Sequence, residues 1–409
     1  MDCALGMAKR VCEISCSYFM RDPRVRREAE ALADAGWEVD VICLRALGEP
    51  ARSELGSSIH IQRVPLQHKR GRKLRYVLEY AAFFLLASAR LSIQQLRRRY
   101  DLIHIHTMPN ALVFAAWLPK LTGTPILLDT HDPMPEIYQV RFGIPPTHWL
   151  NRMLLWEERV SFAFADHLLT TNARMPLLYV RSAPPTKISI VMNVPDPKIF
   201  KTMNPLERAQ PRRFTLVYTG TVTLIYGLDI VIQAVAQLRE TIPNICLRIV
   251  GEGDDLERLQ ELAARLQLGA HIEFLPPVAL DQIPALVSSA DIAVATHRKD
   301  AVTAWGFSTK LAEALLLGVP VIASRSEAIG YYFDDTMVDY LDVGDAAEFA
   351  ARVMSLYREP ARGAQMVRQA RAFFAEHSWE QERARFFEVV QEMARVSGRG
   401  LVSVTEPTK

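Results

Sequence analysis

The chain has 409 residues, enough for two domains of ordinary size, and its 49% hydrophobic and 23% charged residues describe a globular protein rather than a disordered or fibrous one. A formal net charge of +2 gives no case for a nucleic-acid binder. Five cysteines at 3, 12, 16, 43 and 246 fit a reduced, cytosolic setting, and Cys12 and Cys16 lack neighbouring histidines in sequence, which disfavours zinc.

The N-terminus has no apolar core of a signal peptide, and apolar runs such as 80–89 are too short to span a bilayer, so a soluble or peripheral protein is expected. Arg10–Ser15 reads as the opening strand. The loop after it, Cys16-Ser-Tyr-Phe-Met-Arg21, lacks the glycines of a dinucleotide fingerprint, which disfavours an NAD site. Asp22 is a good N-cap with Pro23 at the first helical position; Val25, Ala29, Leu32 and Ala33 follow at helical spacing, and Gly36 ends the helix. Glu38–Leu44 and Ile59–Val64 are the next strands, and parallel pairing implies helices on both faces of the sheet.

Residues 69–99 open on Lys69, Arg70, Arg72, Lys73 and Arg75, run through Leu78, Phe83, Phe84, Leu85 and Leu86, and close on Arg97-Arg-Arg99. Two readings stay open: a helix lying on an anionic membrane surface, or a core helix with solvated ends, which Glu79 and the wide apolar arc also suit. A strand at 101–105 carries His104 and His106 at its end. Another at 125–128 runs into Asp129-Thr-His-Asp-Pro-Met-Pro-Glu136, a polar cluster where an α/β fold places its site. His131 can present its ring or backbone to a sugar hydroxyl; alternatively, His131 and Asp132 only shape a proline-rich turn. Trp149–Phe164 is a long helix, 166–170 and 187–191 are the last strands of this half, and the prolines after 193 mark a linker at 193–211.

The pattern then restarts. A strand at 214–218 ends in Thr219-Gly220-Thr221, a helix spans 228–239, and a strand at 246–250 ends in Gly251-Glu252-Gly253. Helix 256–266, strand Ile272–Leu275, short helix 280–289 and strand 291–295 follow, the last leading to Arg298 and Lys299. Glycines at the carboxyl ends of strands allow close backbone approach to a ligand, although most serve turns. In the stretch from Trp305 through Phe307, Ser308 or Thr309 caps a helix whose apolar face is Leu311, Ala314, Leu315 and Leu317. Gly318 suits the left-handed position past its end, and 319–323 reads as a buried strand. Backbone N–H groups at 308–310 beside the Lys310 ammonium suit a diphosphate, and Glu313 can accept from ribose hydroxyls. The alternative is an amphipathic helix with one charged pair on its wet face. A strand at 338–341 and a terminal helix at 379–394, capped by Ser378, complete the pattern.

Taken in order, these motifs resemble retaining glycosyltransferases of family 4: Asp22-Pro-Arg-Val-Arg-Arg-Glu-Ala, Asp129 to Glu136, Val191-Met-Asn-Val-Pro-Asp196, Tyr218-Thr-Gly220, Ile249-Val-Gly-Glu-Gly-Asp254, Ser289-Ala-Asp-Ile-Ala-Val294, and Lys310-Leu-Ala-Glu313 running to Ala323. The resemblance implies the GT-B fold: two Rossmann-like doubly wound α/β domains facing across a cleft, with the terminal helix crossing back. Residues 1–195 would bind the acceptor, 196–377 the nucleotide-sugar, 378–396 would form the returning helix and 397–409 a tail. It implies transfer of a sugar, with retention, from a nucleotide-diphosphate donor (UDP being the common choice) to a glycan or lipid-linked acceptor in surface polysaccharide or glycolipid synthesis. By position, His131, Lys310 and Glu313 are the catalytic candidates. Gly220, Thr221, Gly251, Glu252, Gly253, Arg298, Lys299, Trp305, Phe307, Ser308 and Thr309 are assigned to the donor. Tyr18, Arg21, Arg24 and Asp132 are assigned to the acceptor side. No metal, cofactor or nucleic acid is expected. The cytoplasm, or the inner face of the cytoplasmic membrane, is the implied location. The chain departs from the family pattern at Trp305, where a first glutamate is usual, and around Thr221 and Tyr226, where an Arg and a Lys are usual. Either Arg298, Lys299 and Lys310 take over that charge, or donor affinity and activity are diminished; a silent GT-B binding or scaffold protein and a GT-B sugar-nucleotide epimerase are the alternative functions.

Overall fold

The computed structural model describes residues 8–67, 73–201, 213–342 and 345–396. The start of the 69–99 basic cluster up to residue 72, the side chains of 73–77, residues 202–211 of the expected linker and the tail at 397–409 lie outside the described residues. The chain divides into two compact units, Met1–Met192 with Glu382–Lys409, and Asn193–Gln381.

Unit 1 is an eight-stranded sheet in the order β3-β4-β2-β1-β5-β6-β7-β8. Its strands are β1 (Arg10–Ser15), β2 (Glu38–Leu44), β3 (Arg52–Leu55), β4 (Ile59–Val64), β5 (Leu102–His106), β6 (Ile126–Thr130), β7 (His167–Thr170) and β8 (Ile188–Ile190). All pair in parallel except the edge strand β3, which the sequence does not announce. Its first 192 residues carry, among the described residues, the α-helices α1 (Pro23–Asp34), α2 (Lys73–Arg97), α3 (Trp117–Leu121), α4 (Met134–Phe142), α5 (Trp149–Phe164) and α6 (Met175–Tyr179). Asp22 caps α1 through Val25 N–H at 3.3 Å with Pro23 at the first position, as expected. The polar cluster after Asp129 lies at the end of β6 and runs into α4, where Pro135 occupies the first helical turn and removes no needed donor.

The order of strands reverses between β1 and β5, so the loops after these two strands leave the sheet at a topological switch point. On one face, Val25, Ala29 and Leu32 of α1 pack with Val11, Val41, Leu102 and Leu127. Right-handed crossovers place α2, α3 and α5 on the other face.

Unit 2 is a six-stranded parallel sheet in the order β11-β10-β9-β12-β13-β14. The strands are β9 (Phe214–Thr219), β10 (Ile245–Val250), β11 (Ile272–Leu275), β12 (Ile292–Ala295), β13 (Val321–Ser324) and β14 (Asp339–Leu341). The helices are α7 (Leu228–Leu238), α8 (Leu256–Arg265), α9 (Ile283–Ser288), α10 (Thr309–Leu316), α11 (Glu327–Tyr332), α12 (Ala346–Arg358) and α13 (Pro360–Glu376). Leu216, Tyr218, Val231, Val235, Ile249, Ile322, Phe349 and Val353 lie in one core cluster. Its switch point lies between β9 and β12.

The last helix, α14 (Trp379–Val396), returns to unit 1. Ser378 and Gln381 cap it reciprocally, Gln381 N–H donating to Ser378 Oγ at 3.3 Å and Ser378 N–H to Gln381 Oε1 at 3.0 Å. Phe386, Val389, Val390 and Met393 join the α1 face of the unit 1 core. Buried Glu382 accepts the Met192 N–H at 2.8 Å.

Candidate functional site

In unit 2 the loop after β9 and the helix α10 converge at the switch point. Gly220 turns with φ +129°, and its N–H donates to the Val250 carbonyl at 3.0 Å. A Cβ on Gly220 would stand 3.3 Å from the Lys310 ammonium, so the bare side of this turn faces that cation. Lys310 Nζ donates to the Tyr218 hydroxyl at 3.1 Å, and that hydroxyl donates onward to the Thr221 carbonyl at 2.6 Å. The same ammonium lies 4.3 Å from the Tyr218 ring centre and 3.8 Å from that of Tyr226. Burial lowers the Lys310 pKa to about 7, with Glu313 opposing the shift. Tyr226 lies in the stretch where the resemblance leads one to expect a cation. The ammonium of Lys310, 84 residues further on, lies over its ring.

Gly220 and Thr221 are exposed, and Ser308, Thr309, Lys310 and Glu313 are half-buried. Ser308 is the N-cap of α10, yet its side chain makes no capping bond to the first-turn N–H groups. Gly318 ends the helix turn at φ +85° as expected. The rest of the expected donor set is spread over several environments. Cβ atoms at Gly251 and Gly253 would stand 1.9 Å from the Gly220 carbonyl oxygen and 1.7 Å from that of Val222. These glycines are needed because two loops pack backbone to backbone, which supports the Gly220 turn; Glu252 between them is exposed, its carbonyl accepting from Val222 N–H at 2.9 Å. Arg298 is engaged: its Nη2 donates to both Asp229 carboxylate oxygens at 2.8 and 2.7 Å, and its Nε to the Leu224 carbonyl at 3.1 Å. Lys299 is exposed and donates to the Asp342 carbonyl at 3.2 Å. Phe307 packs among Tyr332, Phe333 and Phe373, with ring centres at 5.6, 6.2 and 6.2 Å. That contact anchors the start of α10. Trp305 is half-buried, its N–H donating to Val302 O at 3.0 Å.

In unit 1 the loops at the switch point enclose a cavity of about 450 Å³ lined by Ser15, Tyr18, Arg21, Tyr80 and Thr107 among others. Tyr18 and Arg21 stack, the guanidinium 5.6 Å from the ring centre. His131 follows β6, its N–H donating to Thr107 Oγ1 at 3.1 Å and its Nε2 lying 3.1 Å from Asp129 Oδ2 and 3.3 Å from His106 Nδ1. Burial works to lower the His131 pKa, but the Asp129 carboxylate outweighs it and the net shift is upward. Asp132 is exposed, and its carbonyl accepts from Tyr179.

Arg24, expected on the acceptor side, is instead 2% exposed. Its Nε and Nη2 donate to the two Asp129 oxygens at 2.7 and 2.9 Å, its Nη1 donates to the Val191 carbonyl at 2.9 Å, and Glu28 lies at 3.3 Å. It therefore holds Asp129, which in turn faces His131. Burial would raise the Asp129 pKa, yet Arg24 and His131 hold it well below the usual carboxylate range. Around this pair, Glu13, Glu28, His104 and His106 are fully buried; burial raises Glu13 strongly and Glu28 to about 7, and lowers both histidines. Donor atoms of Glu28, His104, His106 and Asp129 lie within 4.8 Å of one another, but the Arg24 guanidinium already supplies positive charge at that spot. His106, Tyr218 and Tyr226 carry no site role in the sequence reading, and Asp129 enters it only as the first residue of the polar cluster; the polar-apolar alternation of β5 (Leu-Ile-His-Ile-His) is the signal that marks His106.

The two units match two families. Residues 22–193 match the family described as glycosyl transferase 4-like domain, and residues 203–373 match glycosyl transferases group 1. A putative glycosyltransferase, EpsD of Bacillus subtilis, is 26% identical over 64% of this chain and 68% of its own length. D-inositol 3-phosphate glycosyltransferase of Pseudarthrobacter chlorophenolicus is 26% identical over 85% of this chain and 84% of its own. Among solved structures, sucrose-phosphate synthase from Thermosynechococcus elongatus superposes with a TM-score of 0.76 at 18% identity, covering 94% of this chain and 99% of that one. Anabaena HepE in complex with UDP-glucose superposes at 0.70 and 16% identity, with 94% and 99% covered.

Proposed function

The chain belongs to the group 1 glycosyltransferases of the GT-B kind, and on that premise we propose that it transfers a sugar, with retention, from a nucleotide-diphosphate donor to a glycan or lipid-linked acceptor. The observation that carries the reading is the Lys310 ammonium held against the bare side of the Gly220 turn, beside an uncapped helix start. In this reading the donor diphosphate lies between the Gly220–Thr221 backbone and the first turn of α10. Lys310 offsets the negative charge that grows on the departing diphosphate as the bond to the sugar breaks. Glu313, one turn further along α10, accepts from the ribose hydroxyls, and Trp305 shapes the sugar pocket where the family uses a carboxylate. His131, oriented by Asp129, is assigned the contact to the transferred sugar, and the Tyr18–Arg21 cavity the acceptor. Unit 2 is thus the donor unit and unit 1 the acceptor unit. The structural neighbour solved with UDP-glucose supports a UDP-sugar as the first donor to test. The product in this reading is a cell-surface polysaccharide or glycolipid made on the inner face of the membrane, as the family resemblance implies.

One observation favours a second reading. Arg298 is tied to Asp229, so Lys310 carries the phosphate role without the cations usual at Thr221 and Tyr226, as a silent nucleotide-binding or scaffold protein would tolerate. Incubation with UDP-, GDP- and ADP-sugars, followed by NMR of the released or transferred sugar, separates the two. The proposal predicts one nucleotide class consumed, with the α-anomeric donor giving an α-linked product first. Nucleotide binding without turnover supports the silent reading, and inversion contradicts retention.

A further inference from the structure

We propose that the outer face of α2, α3 and α5 in unit 1 docks the protein onto an anionic lipid bilayer. The inference rests on the membrane-side acceptor reading above and deepens it by assigning a surface.

Helix α2 is apolar on two opposite sides. Phe83, Ala87 and Leu91, four residues apart, are fully buried against unit 1. Leu78, Leu85, Ile93 and Leu96 fall within about 80° of one another on the other side at 100° per residue. They are 61%, 66%, 51% and 74% exposed. The two sequence readings of 69–99 therefore hold for different sides of one helix: a core side and an uncovered apolar side. A helix apolar all round is ordinarily covered all round.

A second stripe continues the first. On α5, Trp149, Met153 and Trp156 recur at i, i+4 and i+7 and are 68%, 47% and 64% exposed. On α3, Trp117 and Leu121 stand one turn apart, 49% and 75% exposed. Helices α2 and α5 both pack on the 3-10 helix Asn110–Ala116, and α3, which follows it directly, packs on α2, so the three stripes are neighbours. Of the 17 exposed large hydrophobic residues described, ten lie on these three helices, which makes a patch rather than the scatter of an ordinary surface.

Charge identifies the occupant. Residues 69–99 contain nine lysines and arginines against the single acid Glu79. Exposed Arg152 and Arg159 flank the α5 stripe, while Glu157 and Glu158 on the same helix turn inward to Ser161 and Arg181. An apolar face with tryptophans and a cationic surround matches the interface of a bilayer bearing anionic headgroups. Among the described residues no helix is long and apolar enough to cross a membrane, so α2 lies in the plane. Tyr80, on the inward side of α2, lines the 450 Å³ cavity, so one helix has lipid on one side and the acceptor cavity on the other.

The test is co-sedimentation of the full chain with phosphatidylcholine vesicles, with and without phosphatidylglycerol, at low and high salt. The wild type should pellet with the anionic vesicles and be released by salt. The double substitution Leu85→Gln with Trp156→Gln should weaken pelleting by about tenfold or more, because two large apolar side chains leave the interface. Leu47→Gln, 90% exposed but outside the patch, should leave pelleting unchanged. Donor hydrolysis in solution should be the same in all three proteins, so loss of docking and loss of transferase activity are read separately. No pelleting with anionic vesicles overturns the proposal, as does equal pelleting with neutral ones. A dimer in size-exclusion light scattering that the double substitution dissociates, with no vesicle binding, assigns the face to a second copy and overturns it too.

Discussion

Replacing Arg24 by Met removes the cation from the buried frame beneath the unit 1 loops. The methionine keeps the apolar contacts of the stem. It leaves Asp129 and Glu28, both 0% exposed, without the guanidinium that now donates to Asp129 at 2.7 and 2.9 Å. Removing one partner of a buried ion pair costs about 3–5 kcal/mol. For a unit of this size each kcal/mol moves Tm by about 2–4 °C, so the unit 1 transition should fall by roughly 6–20 °C. The pH dependence has a definite sign. Arg24 and His131 hold Asp129 well below the ordinary carboxylate range against the pull of burial, so its pairing stabilises the fold above the ordinary carboxylate pKa and is lost as pH falls through the folded value. In Arg24→Met the carboxylate rises and can be protonated, so the deficit against wild type should shrink on acidification. Calorimetry at about pH 7.5 and about pH 5 measures both effects. Arg24→Lys, which keeps the charge and loses the fork, should fall between the two proteins. A variant that melts within about 2 °C of wild type at both pH values refutes the buried-pair assignment. If it also loses turnover, Arg24 touches the acceptor after all.

Three further substitutions probe unit 2. Lys310→Met should lower turnover by about 10²–10³-fold, the usual effect of deleting one transition-state donor, with no loss of folded protein. Because burial lowers Lys310 to about 7 from 10.5, the folded unit binds fewer protons than the unfolded chain between those values; wild-type stability should rise with pH across that window and the variant should be flatter in a melting series. Gly253→Ala places a Cβ 1.7 Å from the Val222 carbonyl oxygen, so the two loops must part: a cost of about 1–3 kcal/mol or more and weakened donor binding are expected in melts and titrations. Glu313→Ala should raise the donor KM by roughly 10–100-fold with a smaller change in kcat, the loss of about 1.5–3 kcal/mol from hydrogen bonds to a carboxylate.

Much of the fold could be read from the chain because its signals are local. Alternation of apolar strands with capped helices marks β1, α1 and β2, and the Ser378–Gln381 box and Gly318 act within a single turn. The antiparallel β3 is short and half-polar, with little apolar signal of its own. Helix α12 carries a signal of the same local kind, with Phe349, Val353 and Leu356 at helical spacing on its buried side. The site was harder, because the partners that decide a side chain's role are distant in sequence. Arg24 meets Asp129 across 105 residues and Arg298 meets Asp229 across 69, so two arginines that look available in the chain are engaged in the fold. Phe307 next to the helix cap reads as a ligand group, but Phe373 and Tyr332, far along the chain, draw it inward. Gly251 and Gly253 have the spacing of a phosphate turn, and the close approach they permit is to another loop. Conversely, the Lys310 ammonium over the Tyr226 ring joins residues 84 positions apart, a contact no local pattern could show.

The central claim is that the Gly220 turn and the start of α10, with Lys310 between them, bind the donor diphosphate. Isothermal titration of UDP, GDP and ADP into the wild type and Lys310→Met tests it most directly. One nucleotide diphosphate should bind the wild type at one per chain, and the variant should bind it at least about tenfold more weakly. Equal affinity in the two proteins, or no nucleotide bound by either, contradicts the account.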